Sequence, residues 1–397
     1  MIRILTHKEH INGTRIFDRY LYMAAWVLPF SPEDVLGDDH LEVDGEVVTA
    51  DNFINISNKF PRIRNEKYKK RLIKYKISDV VKDKKQRFEQ DQLLASRVVY
   101  NSNKKLYDFL YTDNPYNSRK PPNMKKVNLR KLLTVKMDEL DSELKQIKNS
   151  PYTCYEDLMN IVFRYDVFAQ SPHAIELLKD MNVSVCPYCN RQYTFSVAQN
   201  NRTSRAQFDH FYPKDLFPSF AISLYNLIPS CGLCNLAKSN NVDKILYPYS
   251  DEMGHDVRFE TKYVSGFRYL FGDQNAKNEF DVSLQFVKED LETEYKDKVT
   301  KSIEYFNLDL LYREHKDYIL SLFRNNYVFN DAYLNMLCEQ FPHILQSKKE
   351  VKSLLYLMDI EKEHWGERVL GKLTHDIDLE INSGALIDRL WKEIKGS

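Results

Sequence analysis

The sequence carries no excess of either charge, because its 57 Lys and Arg residues equal its 57 Asp and Glu residues. This balance excludes a uniformly cationic chromatin-type protein, although local basic surfaces are compatible with it. Glycine is scarce, at 11 of 397 residues, and no internal repeat or low-complexity tract is present. With 26 Tyr and 22 Phe residues, the composition indicates packed, mostly helical domains rather than long flexible linkers.

Long apolar segments are also missing. The longest uninterrupted run, Tyr20 to Phe30, has 11 residues and contains Pro29, whereas a membrane-spanning helix needs roughly 20. Charges in the opening MIRILTHKEH come too early for the apolar core of a signal peptide. We therefore expect no membrane association and a cytoplasmic location. In that compartment the six cysteines do not predict a disulfide framework, so they need another explanation.

Charge is unevenly distributed along the N-terminal part of the chain. Residues 31–51 hold eight acidic side chains and no Lys or Arg, and alternation over 41–48 predicts a short hairpin turning at Asp44-Gly45. Two basic tracts follow, with eight basic residues against one acidic in 61–76 and seven against none in 119–136. These tracts are candidates for extended DNA contact, and equally for solvated helix faces or for pairing with the acidic segment.

Helical periodicity dominates the chain outside its middle. Few breakers interrupt 89–107 and 129–147, and apolar residues recur at spacings of three and four from Leu308 to Phe323, after a helix cap at Asn307. The sequence thus predicts a mainly α protein in three parts. These parts are an N-terminal, mostly helical domain with the basic tracts (1–180), a central domain (181–285) and a C-terminal helical domain (286–397).

Four of the cysteines form two C-x-x-C pairs, Cys186–Cys189 and Cys231–Cys234, with 41 residues between them. The turn inside a C-x-x-C lets both thiolates face one ion, and two pairs complete the tetrahedron that zinc prefers. Because all four ligands are thiolates, such a site has no open position for a substrate, and its zinc is structural. Four reduced thiols that bind nothing, or a redox-active pair, are the alternatives. The gap exceeds the roughly 15–20 residues of a common zinc ribbon, so a folded unit must lie between the pairs.

The segment between the pairs, together with the residue after the second pair, contains side chains suited to phosphodiester hydrolysis, which needs an activated water and a cation that offsets the charge of the transition state. His210 can take a proton from water, while Asp209 and Asn235 offer the oxygen ligands that magnesium prefers. Asp209 and His210 can serve one site only if their strand ends or bulges there, because neighbours on a strand point to opposite faces. Asn226 would hydrogen-bond the backbone or orient His210.

Basic side chains near these residues are candidates for contacts with a nucleic acid. They are Arg191, Arg205, Lys214 and Lys238, and each could equally be a solvated surface side chain. The stretch from Asn235 to Asn241 is expected to open a helix whose N-terminal dipole favours a nearby phosphate. Lys238, one turn further on, would reach the same phosphate.

Taken in order, Phe208-Asp209-His210, Tyr225-Asn226-Leu227 and the Asn235 that follows the last cysteine resemble the HNH nuclease family. The resemblance covers roughly residues 181–250 and implies a ββα-metal (HNH) core braced by the zinc site of the four paired cysteines. It implies Asp209 and Asn235 as ligands of a catalytic Mg²⁺ or Mn²⁺ ion, His210 as general base, and products with 5′-phosphate and 3′-hydroxyl ends. Asparagine at 235, where many members have histidine, is a known variant of the family that would favour magnesium.

The longer segment DHFYPKDLFPSFAISLYNLIPSCGLCNLAKSN is similar to a subgroup of bacterial HNH proteins in anti-phage defence and restriction systems, including Septu-type effectors. This similarity implies a DNA-cleaving effector that acts with an ATPase or sensor partner.

Two other classes of protein share some of these features. A non-catalytic zinc-knuckle module that docks nucleic acid or a protein would keep the cysteines and basic tracts, but would not need Asp209, His210 and Asn235 together. A zinc deaminase fits less well, because the only H-x-E triplets, at His7 and His40, lie far from the cysteines and no proline directly precedes either C-x-x-C.

Overall fold

The computed structural model describes residues 165–384, except 200, 201, 218 and 219, together with short stretches elsewhere. The other described residues are 2, 4, 18, 20, 21, 23, 24, 40–43, 46–49, 52, 133, 134, 136–138, 163, 386, 387 and 390. The predicted basic tract at 61–76 lies outside them, as do the predicted helix at 89–107 and nearly all of 119–147.

The described part of the chain is partly helical, with small antiparallel sheets. Helices α1 to α9 span Tyr165–Gln170, Pro172–Met181, Gly232–Lys238, Thr293–Tyr305, Leu308–Arg313, Lys316–Val328, Asp331–Gln340, Lys348–Tyr356 and Gly371–Asn382. Strands β1 to β8 span Leu41–Val43, Glu46–Val48, Val197–Gln199, Arg202–Ser204, Gln207–His210, Leu227–Ser230, Val257–Tyr263 and Phe280–Phe286. Consecutive strands pair as two-stranded antiparallel sheets. None of the helices described is long and apolar enough to cross a bilayer.

Two of the local predictions can be compared with the structure. The hairpin predicted at 41–48 is confirmed, because β1 pairs with β2 with Leu41 opposite Val48 and both of these side chains are buried. The apolar stripe after Asn307 is not one helix, since α5 ends at Arg313 and α6 begins at Lys316. His315 lies at the junction, where its ring is half-buried rather than part of a continuous core face.

Helix α9 covers the edge of β7 that β8 leaves unpaired. Asp376 Oδ2 accepts the backbone N–H of Phe259 at 3.0 Å, and Glu380 Oε1 accepts the N–H and hydroxyl of Thr261 at 3.1 and 2.9 Å. The spacing of the two carboxylates along α9 matches the spacing of the two N–H groups along β7, because four helical residues rise about 6.0 Å and two strand residues span about 6.8 Å. The buried carboxylates thus satisfy backbone donors that an open sheet edge would expose.

Hydrophobic packing is continuous through the described residues. One cluster of buried side chains contains Phe168 of α1, Phe259 of β7, Tyr312 of α5 and Ile377 of α9. Each of the three ranges predicted as domains contributes to this cluster. The ranges therefore share a core, and the boundaries between them stay a prediction.

Candidate metal centre and adjoining cleft

The four cysteines of the C-x-x-C pairs meet in space. Their Sγ atoms all lie within 4.8 Å of one another, all four residues are buried, and the Sγ atoms of Cys189 and Cys231 are 3.9 Å apart. Four sulfurs at about 2.3 Å from a zinc ion stand about 3.8 Å apart in a tetrahedron, whereas a disulfide would bring two of them to about 2.05 Å. The cluster therefore fits one tetrahedral metal ion such as zinc, and the described cysteines form no disulfide.

Backbone amides support the sulfur atoms. The N–H of Arg191 donates to Cys189 Sγ at 3.4 Å, and the N–H of Cys234 donates to Cys231 Sγ at 3.5 Å. Donors of this kind stabilise a thiolate, which is the form that binds a metal.

The first C-x-x-C pair is bonded to the C-terminal helices through Asn190, which has a left-handed backbone (φ 50°). Its amide donates to the carbonyl of Trp365 at 2.8 Å, and its side-chain oxygen accepts the backbone N–H of Lys372 at 3.1 Å. The Tyr312 hydroxyl donates to the carbonyl of Cys189 at 2.6 Å. Backbone and side-chain groups far away in the sequence therefore hold the four-cysteine cluster in place.

The second pair lies at the start of the helix of a short strand–strand–helix unit formed by β5, β6 and α3. Strand β5 ends at His210, which lies opposite Leu227 of β6, and Cys231 follows β6 as the N-cap of α3. Since the cap fixes the start of the helix at Gly232, the expectation that a helix opens at Asn235 is wrong. Asn235 instead lies within α3, on one side of a cleft of about 460 Å³.

Asp209 and His210 line the same cleft as Asn235, as the predicted end of the strand after His210 requires. Asp209 is buried, and the Tyr188 hydroxyl donates to its Oδ2 at 2.6 Å. The ammonium of Lys238 lies 3.5 Å from Asp209 Oδ1 and donates to the backbone carbonyl of His210 at 2.5 Å. The carboxylate is therefore held on both oxygens by neighbouring side chains.

Lys238 differs from its predicted role as a phosphate contact. It is only 3% exposed, because its stem runs inward from the last turn of α3 and its charge is paired with Asp209. Burial raises the pKa of Asp209 and lowers the pKa of Lys238, which shows that loss of hydration outweighs their mutual attraction. Lys238 is thus part of the interior of the unit rather than of its surface.

His210 is held in one orientation by two neighbours. Its Nε2 lies 2.9 Å from the carbonyl of Ala221, and the ring of Tyr165 meets it edge-on with centroids 4.3 Å apart. A carbonyl can only accept, so Nε2 carries the proton and the neutral ring keeps its lone pair on Nδ1. Burial lowers the pKa of His210 to about 4, which keeps the ring neutral at pH 7.

The two asparagines have different surroundings. Asn226 is buried and bonds only backbone groups: Oδ1 accepts from Tyr212 N at 2.7 Å, and Nδ2 donates to the carbonyls of Tyr212 and Phe220 at 3.1 and 2.9 Å. Of the two roles predicted for Asn226, the structure shows the hydrogen bonding to the backbone. These bonds hold both ends of the loop 212–220, and the next residue, Ala221, carries the carbonyl that is bonded to His210. Asn235 is half-buried, and its Nδ2 donates to Gln207 Oε1 at 2.7 Å.

The three other basic candidates lie in different places. Lys214 lines the cleft, is exposed and pairs with Asp215 at 2.9 Å. Arg205 is half-buried and lies near Tyr165. Burial raises the pKa of Tyr165 to about 12, and the positive charge of Arg205 acts against this rise. Arg191 is not among the residues that line the cleft, and its Nε donates to the ring of His315 at 2.9 Å.

Comparison with known proteins gives no match. No family model, no curated protein and no solved structure matches this chain.

Sequence reasoning missed three residues of the site. Tyr188 holds Asp209, Tyr165 contacts His210, and Gln207 holds Asn235. The signal for Tyr188 was its position inside a C-x-x-C, next to a predicted metal ligand. Tyr165 has no comparable signal, because it reaches the cleft from α1 through tertiary packing alone.

Proposed function

We propose that this protein is a metal-dependent endonuclease of the HNH type that hydrolyses phosphodiester bonds in DNA. The observation that supports this most directly is the shared cleft, where a carboxylate, an imidazole and an amide face one space beside the four-cysteine cluster. A role as an effector in anti-phage defence or restriction, with an ATPase or sensor partner, belongs to the same proposal and is supported by the sequence resemblance alone.

The residues at the cleft fit a divalent cation. A carboxylate has about four lone-pair positions, and Tyr188 and Lys238 use two of those on Asp209. Asn235 donates its N–H to Gln207, which leaves its carbonyl oxygen available. One carboxylate, one amide oxygen and retained waters form the kind of ligand set that Mg²⁺ and Mn²⁺ take. Such an ion, when bound, would offset the negative charge that develops on the phosphate.

The chain's own residues would move and hold the proton. His210 donates through Nε2 to the carbonyl of Ala221, so Nδ1 is the atom that accepts a proton from the attacking water. Because the pKa of His210 is about 4, this lone pair is free at pH 7. The negative charge of an incoming phosphate would raise that pKa and make Nδ1 a stronger base. Lys214, at the edge of the cleft, would contact that phosphate.

One observation favours the second candidate, a non-catalytic docking module. The Asp209–Lys238 pair already neutralises the carboxylate within the protein, so Asp209 has a structural role that needs no divalent ion. Such a module would bind nucleic acid or protein and leave phosphodiester bonds intact.

The test incubates purified protein with plasmid, single-stranded DNA and RNA, with and without Mg²⁺. We expect DNA cleavage that requires Mg²⁺ and that falls by about 10²- to 10⁴-fold in His210→Ala. His343→Ala is the matched control, since His343 is exposed and is not among the residues that line the cleft. Zinc content and circular dichroism verify that each variant is folded. If His210→Ala cuts as fast as the parent, the mechanism is wrong, and binding without any cleavage by the parent supports the docking module.

A further inference from the structure

Two aromatic rings are stacked and exposed beside the first cysteine pair. The rings of Tyr193 and Phe195 lie with centroids 4.6 Å apart and 14° between their planes. Tyr193 is 41% exposed and Phe195 is 59% exposed. Apolar area left in water is unfavourable, so a parallel stack that stays open to solvent suggests a partner with flat apolar faces.

The backbone holds these rings outward. Thr194, between them, is buried; its N–H donates to the carbonyl of Ser184 at 2.9 Å and its hydroxyl to that of Val183 at 2.5 Å. Tyr193 forms an antiparallel bridge with Val185, next to the first metal-binding cysteine. Side chains alternate along an extended segment, so a buried Thr194 places both rings on the opposite, solvent side. The pair is therefore presented on a rigid support.

The segment that carries the rings is basic, which favours an anionic partner. Residues 181–208 contain no Asp or Glu and three arginines, Arg191, Arg202 and Arg205. A polymer that carries both negative charge and flat apolar faces is a nucleic acid, whose bases stack on aromatic side chains while its phosphates face basic ones. A protein partner with an apolar face would not require the segment to lack acidic residues.

We propose that Tyr193 and Phe195 form a stacking platform for an unpaired nucleobase, so that this protein engages nucleic acid with single-stranded or frayed nucleotides. In a duplex both faces of an internal base are covered by its neighbours, and only an unpaired or terminal base has a face free for a ring. The platform segment continues through β3 and β4 into β5, which ends in Asp209 and His210. The inference rests on the proposed nuclease function for its link to the cleft, but not for binding.

The experiment measures binding in the His210→Ala background, by fluorescence anisotropy, for a labelled single strand, a labelled covalently closed circular duplex that has no terminal bases, and the same single strand with abasic sites. Loss of one stacked base contact corresponds to roughly 5- to 150-fold in Kd. We expect Phe195→Ala to weaken single-strand binding by that factor and to change duplex binding less than 2-fold. Phe195→Trp should restore single-strand affinity, and abasic sites should remove the difference between parent and Phe195→Ala.

Phe271→Ala is the matched control. Phe271 is 57% exposed and also belongs to an aromatic pair, with Tyr327, but the two rings are perpendicular. The control should bind as the parent does. Unchanged single-strand affinity in Phe195→Ala would refute the stacking platform and would favour a protein partner for the rings. Equal weakening of single-strand and duplex binding would also refute it, as would the absence of single-strand binding by the parent. Because cleavage is measured separately, loss of the platform effect with Mg²⁺-dependent cutting intact refutes only this inference.

Discussion

Replacing Lys238 with methionine removes one half of a buried ion pair, and we expect a large loss of stability. Methionine keeps most of the apolar stem of lysine, so the change isolates the ammonium, which lies 3.5 Å from Asp209 Oδ1 and donates to the carbonyl of His210. Asp209 would keep the Tyr188 hydroxyl but would have no cation beside it. Breaking such a buried pair costs about 3–5 kcal/mol of unfolding free energy.

Removal of both charges should be much milder. Burial raises the pKa of Asp209 and lowers that of Lys238. For each group, the free-energy cost of losing hydration is therefore larger than the stabilisation from the charge of its partner. Neutral replacements of buried pairs are often close to neutral in stability. We therefore expect Asp209→Asn/Lys238→Met to lie within about 2 kcal/mol of the parent.

The assay is urea unfolding of the zinc-loaded proteins, followed by circular dichroism. Lys244→Met is the matched control, because the Lys244 side chain is 65% exposed and pairs with Glu294 at the surface; its cost should stay within about 0.5 kcal/mol. A cost below about 1 kcal/mol for Lys238→Met would refute the buried pair and favour the phosphate contact that the sequence suggested. A double variant as unstable as the single would refute the role of Asp209 as its partner.

Two further predictions concern the metal and a buried histidine. Elemental analysis should find one zinc per chain. Cys231→Ser should lose this zinc, whereas Cys338→Ser, which lies outside the cluster, should keep it. Since a structural zinc contributes on the order of 10 kcal/mol, chelation should also abolish the cooperative thermal transition of the parent. Burial lowers the pKa of His173 from 6.5 to about 4, so the unfolded chain binds a proton at this histidine more readily than the folded one does. The free energy of unfolding should therefore be unaffected by this group above pH 6.5 and should fall by up to about 3 kcal/mol as the pH decreases towards 4. His173→Gln should flatten that part of the urea-derived pH profile, and an unchanged slope would show that His173 is not the group responsible.

How much could be predicted from the sequence depended on the distance between interacting residues. The four-cysteine cluster could be predicted, because each C-x-x-C turn directs two thiolates to one point whatever the rest of the chain does. The end of β5 after His210 was equally local, since Phe211-Tyr212-Pro213 interrupts a strand. The burial of Lys238 was not predictable, because it depends on a carbonyl 28 residues away. The bond from Asn190 to Trp365, across 175 residues, has no local signal at all.

Each cysteine pair also holds one side of the cleft, which explains why a small unit can be rigid. Strands β5 and β6 have four residues each and α3 has seven, and elements this short are not stable alone in water. Tyr188 lies inside the first pair and fixes Asp209, while Cys231 of the second pair caps the helix that carries Asn235. A metal ion shared by the two pairs would therefore fix the carboxylate relative to the amide. Loss of that ion should loosen the cleft before it disturbs the helices that hold Asn190.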